Sequence, residues 1–141
     1  NKIFAEDFSK ANVSKSTLAK YYLQKIENYK KNKKGAKLVP NNDERIVNLE
    51  HILPKKLSDK WNDFDEDSHN FYLNRIGNLT LLGAEDNSTS GHQSFITKCK
   101  YYKDSDFIIT KELTKNTNWT TDDINQRQLE FSKIAIECWK I

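Results

Sequence analysis

The sequence has no methionine, only two cysteines and two prolines, and no long apolar run. Each scarcity excludes something. No stretch approaches the roughly 18 apolar residues of a membrane span, and the N-terminus lacks the charged-then-apolar plan of a secretory leader, so a soluble cytoplasmic protein is expected. Cys99 and Cys138 both fall in stretches that read as helix, which suits buried free thiols of a reducing compartment better than a disulfide. The absence of methionine, with Asn1 at the start, leads us to expect an upstream portion in a longer natural protein. A large excess of one charge is lacking too, since 23 Lys and Arg stand against 20 Asp and Glu for a net charge of +3. That balance permits a phosphate-backbone partner and falls short of a dedicated nucleic-acid coat.

What is present is enough to fold. A chain of 141 residues with three Trp, six Tyr and seven Phe can bury a core without staples. We expect one domain over 1–141, with a helical part at 1–45, a mixed core at 46–103 and helices at 104–141. Leu18, Tyr22, Ile26 and Tyr29 recur at helical spacing between Ser16 and Lys33, with Ser14 or Ser16 as cap and Gly35 as stop. The lysine-rich stretch from Lys31 to Asp43 reads as an exposed loop. Ile46 to Leu53 has strand composition and is closed by Pro54. The acidic stretch from Asp59 to Asp67 reads as a solvated loop or short helix pinned by Trp61 and Phe64, without chemistry, and His69 beside it as exposed and without a role. Phe71 to Ile76 reads as a short helix, Asn78 to Gly83 as a second strand, and Asp86 or Asn87 opens a helix continued by Phe95, Cys99 and Tyr102. A weaker helical piece spans Ile108 to Leu113, and Thr120 with Asp123 forms a capping box for a long helix through Ile124, Phe131, Ala135, Cys138 and Trp139. The class is α+β and mostly helical.

The residues that draw attention are Glu50 and His51. Hydrolysing a phosphodiester needs a base for water and a cation for the charge that grows on the phosphate. A hard carboxylate beside an imidazole, at the point where a strand ends and the backbone turns, suits a magnesium site flanked by its base. An imidazole with an ordinary pKa of about 6.5 is mostly neutral at physiological pH and can accept the proton.

A Glu-His pair alone says little, but it does not stand alone. Leu49-Glu50-His51-Ile52-Leu53-Pro54, then Asn74-Arg75-Ile76-Gly77-Asn78-Leu79-Thr80-Leu81-Leu82, then Asn87 and Phe95-Ile96-Thr97-Lys98 resemble the HNH nuclease family in order. More narrowly, with Trp119, Ile124, Arg127 and Trp139, nearly the whole chain resembles the C-terminal nuclease domain of GmrSD-type, modification-dependent restriction endonucleases. The resemblance implies a ββα-metal (His-Me finger) core around a short two-stranded antiparallel sheet, in a DNA endonuclease of a restriction or phage-defence protein. It implies His51 as general base, Glu50 and Asn87 as metal ligands, and Asn78 as the residue that fixes loop and base. His92, near a position where relatives often carry Asn, is a further candidate for metal or phosphate; Lys98, Arg75 and Lys55 are candidates for DNA phosphates. It also implies an upstream ParB-like nucleotide-hydrolysing domain as partner. Asn87 stands where many relatives have His, and this oxygen pair favours Mg2+ or Mn2+ over zinc; without paired cysteines, no structural zinc is expected.

Blander readings stay open at this point. Glu50 and His51 can be a surface pair, Asn78 and Asn87 plain turn and cap residues, and Lys33, Lys34 and Lys37 merely a soluble loop. The whole can be a ββα module that holds nucleic acid without cutting it, or a helical interaction domain.

Overall fold

The computed structural model describes residues 7–8, 12–13, 15–33, 47–83 and 93–139. Its first helix, α1, runs Ser16–Lys33, over the range the spacing predicts but turned on its axis. Leu18 is 41% exposed, whereas Ala19, Leu23 and Ile26 are buried together with Lys20, Gln24 and Glu27. The reason is polar: the Glu27 carboxylate accepts hydrogen bonds from Ile108 N (2.8 Å) and Ile109 N (3.0 Å) and so closes the orphan amides of another helix. A face that must carry such a cap cannot be purely apolar.

Strands β1 (Asn48–His51) and β2 (Leu79–Leu82) pair antiparallel, with Leu49 opposite Leu81, Glu50 opposite Thr80 and His51 opposite Leu79. Because successive side chains leave opposite faces of a strand, the pair divides the interior in two. Leu49, Leu79 and Leu81 join a cluster with Leu23, Ile26, Phe131 and Ala135. Leu82 joins a second cluster with Ile52, Leu53, Phe95, Tyr102 and Trp119. This double burial explains why β2 is apolar at both parities except for Thr80, whose hydroxyl lies 2.7 Å from that of Thr110.

Between the strands lies α2, Glu66–Tyr72, earlier than the helix expected at 71–76. Asp65 and Ser68 form a reciprocal capping box, so the acidic stretch starts a helix, the second of the two forms its composition allowed. Residues Ile76–Asn78 instead make a single 3-10 turn. Trp61 and Phe64 are buried as the pinning rings. After β2 come α3 (Phe95–Tyr102), capped by Ser94, and α4 (Ile108–Lys111). The expected cap at Asp86 or Asn87 lies outside the described residues. Helix α5, Thr121–Cys138, opens with the predicted box between Thr120 and Asp123.

Helix α5 also holds the turn that leads into β2. The Gln128 side-chain oxygen accepts from Gly77 N, and Arg127 donates to Gly77 O (2.9 Å) and Leu79 O (2.6 Å). Glycine is required there, since an added Cβ would run into the Ile124 carbonyl oxygen. The fold is α+β, with the order strand, strand, helix at its centre. No described helix is long and apolar enough to cross a membrane.

Candidate active site

Glu50 lies in β1 and is 4% exposed. Its Oε2 accepts from Tyr102 Oη at 2.7 Å and Lys98 Nζ at 3.2 Å, two side chains one helical turn apart on α3. Burial and the neighbouring Glu50 push the Tyr102 phenol well above its ordinary range, so it remains a donor. Burial pulls the Lys98 ammonium down, and Glu50 opposes this. Lys98 Nζ also donates to the backbone oxygen of His51 at 2.8 Å. One ammonium thus ties the side chain of Glu50 to the main chain of His51.

The His51 ring is half-buried at the end of β1, with Nε2 3.0 Å from Asn74 Oδ1. Burial holds the imidazole below its ordinary 6.5; the Asn74 bond opposes this, while Lys55, Lys98 and His69 add to it. A neutral imidazole is a proton acceptor and a buried carboxylate a hard oxygen, and here the two belong to consecutive residues joined through Lys98 at the Glu50 side chain and the His51 main chain.

Asn78 is buried and all four of its contacts are made inside the fold. Its Oδ1 accepts from Leu53 N (2.8 Å) and Trp119 Nε1 (3.0 Å), and its Nδ2 donates to Leu53 O (3.1 Å) and Leu73 O (2.9 Å). The amide closes the loop that follows His51 on both its hydrogen-bonding edges, and it touches no side chain of the Glu50–His51 pair in these contacts. Behind that loop, the His69 ring N–H donates to Pro54 O at 2.7 Å. His69 is 6% exposed, which corrects the expectation of an exposed residue without a role: it is a buried strut.

The cations expected on DNA divide. Lys55 is exposed. Lys98 is fully buried and bound to Glu50, because a carboxylate enclosed at the sheet needs a counter-charge; it is not a surface phosphate contact. Arg75 is 8% exposed, with Nη2 3.2 Å from Asn125 Oδ1 and its guanidinium 5.9 Å and 5.4 Å from the ring centres of Phe71 and Tyr72, so it too is packed rather than displayed. Asn87 and His92 lie outside the described residues. Tyr102 and Asn74 received no role from the sequence. The four-residue step from Lys98 to Tyr102 was a usable sign, since it stacks both on one helical face; nothing local marked Asn74.

Among the described residues no group of three His, Cys, Asp or Glu could hold a metal ion. The donor they do supply, Glu50, is a hard oxygen held in place by two hydrogen bonds, the chemistry that Mg2+ or Mn2+ takes. No curated protein matches the chain. A family model described as "GmrSD restriction endonucleases, C-terminal domain" matches residues 1–134. That extent shows the family and brings with it an endonuclease-type effector domain with DNA as substrate: the chain belongs to the C-terminal domain family of GmrSD restriction endonucleases.

Proposed function

We propose that this domain hydrolyses DNA phosphodiester bonds as an HNH nuclease of the ββα-metal type, with His51 as general base. The observation that supports it most is the half-buried His51 imidazole at the end of β1, held below 6.5 by burial and following in sequence a carboxylate with fixed donors. In this reading Glu50, with Asn87 and His92, would hold a divalent cation, Mg2+ or Mn2+, which would supply positive charge to the phosphate oxygens. The chain's own residues do the rest. Neutral His51 takes a proton from the attacking water as the new oxygen–phosphorus bond forms and the bond to the leaving oxygen breaks. Asn78 keeps the Leu53 loop from drifting, Tyr102 and Lys98 keep Glu50 pointed, and exposed Lys55 faces the DNA backbone. The domain acts as the effector half of a restriction or defence protein, with a ParB-like nucleotide-hydrolysing domain as its partner.

The competing reading is a module that binds nucleic acid without cutting, favoured by the ammonium already seated on Glu50 at 3.2 Å. Supercoiled plasmid separates the two. With Mg2+ the protein should nick it, and His51→Ala should lose about 10²- to 10⁴-fold in rate while keeping its fold. Undiminished cleavage by that variant removes His51 as base, and binding without any cleavage by the parent selects the competing reading.

A further inference from the structure

We infer that Asn74 is a positioning residue for His51, locking the imidazole in the tautomer that carries its proton on Nε2 and leaves Nδ1 as the lone pair that takes the proton from water. The inference rests on the reading of His51 as the base. An amide oxygen can only accept a hydrogen bond, so Asn74 Oδ1 at 3.0 Å from Nε2 requires a hydrogen on that nitrogen. A neutral imidazole has one N–H and one lone pair, which places the lone pair on Nδ1.

Asn74 is itself aimed from a fixed stretch of chain. Its backbone oxygen accepts from Val13 N at 2.7 Å and Arg75 N is bonded to Tyr72 O at 3.1 Å, while the preceding carbonyl, Leu73 O, accepts from Asn78 Nδ2 at 2.9 Å. The imidazole's own backbone is pinned by Lys98 at the His51 oxygen. The main chains that carry ring and amide are therefore both anchored from outside the bond the side chains share, which is how an orientation is preset before substrate arrives. The choice of an amide has a chemical sense: a carboxylate would orient the ring equally but would add negative charge where a polyanion must approach.

The test reads the tautomer directly and needs neither metal nor DNA. In protein with 15N-labelled histidine, long-range 1H–15N correlations well above pH 6.5 distinguish the two ring nitrogens, and comparison with His51→Gln assigns His51 among the three histidines. The parent should show hydrogen on Nε2, Asn74→Ala a mixture of tautomers, and Asn74→Asp, which still accepts the same N–H, a return to Nε2–H. Plasmid nicking by Asn74→Ala should fall by about 10- to 100-fold in kcat with KM for DNA little changed. Hydrogen on Nδ1 in the parent overturns the inference, as does an unaltered Nε2–H in Asn74→Ala; the parent spectrum alone decides if that variant fails to fold. A parent that shows Nε2–H but never cuts DNA refutes the nuclease reading and leaves the Asn74–His51 lock standing. A parent that cuts with hydrogen on Nδ1 does the reverse.

Discussion

Lys98 and Arg127 are both buried cations facing the same two-stranded sheet, and they answer to different partners. Arg127 is surrounded by main chain: it donates to Gly77 O, Leu79 O and Ile109 O and to the Thr80 hydroxyl, and its guanidinium lies 4.5 Å from the Phe131 ring centre. With burial outweighing the more distant acids Glu130 and Glu112, its pKa is pushed down to about 10. Lys98 faces a full carboxylate and one carbonyl. A guanidinium's fan of donors suits several neutral oxygens at once, whereas an ammonium suits one point charge. The first arrangement fastens architecture. The second keeps a carboxylate buried and oriented and ties it to the main chain of His51.

The contrast can be broken from either side. Arg127→Met should have the largest effect, because three backbone oxygens lose their donor at roughly 1–3 kcal/mol each; we expect a loss of about 5 kcal/mol by urea denaturation, with Mg2+ changing nothing in the difference. Lys98→Met should cost about 3 kcal/mol, since it leaves the Glu50 carboxylate enclosed without its cation. Here Mg2+ should recover stability, and adding Glu50→Gln should recover it without Mg2+. Identical responses of the two variants to Mg2+ would erase the distinction.

The smallest effect concerns pH. His51 is held below 6.5 in the folded chain by burial, so the unfolded chain binds the extra proton first as pH falls. Folding stability tied to this group is complete above 6.5 and declines as pH drops toward the depressed folded value. A His51→Gln variant should lack that slope in its denaturation midpoints. Cleavage should share the window, with the acid limb of kcat/KM turning below 6.5; an inflection above 6.5 would contradict a buried neutral base.

Much of this was legible in the sequence. The α5 box between Thr120 and Asp123, both strands and the Glu50–His51 position at a strand end follow from local chemistry, since caps, alternation and a closing proline act over a few residues. The burial of Lys98 and His69 was not legible. Their partners, Glu50 and Pro54, lie 48 and 15 residues away, and a polar residue satisfied at that distance looks locally like any solvated one. The rotation of α1 has the same origin, for Glu27 is polar in sequence and buried in space because Ile108 and Ile109 need an acceptor. Asn78 shows the middle case: a turn residue by composition, it proved to be a four-way clasp on Leu53, Leu73 and Trp119.

The attachment of α5 to the turn before β2 sets an order of assembly. Residues 50 and 51 leave the ribosome long before residues 127 and 128, yet the turn that carries Asn78 into place is gripped by Arg127 and Gln128. A nascent chain without α5 lacks those donors and acceptors, and the loop behind the imidazole has no fixed seat. The seating of that loop is thereby a late event, completed only when α5 has been synthesised.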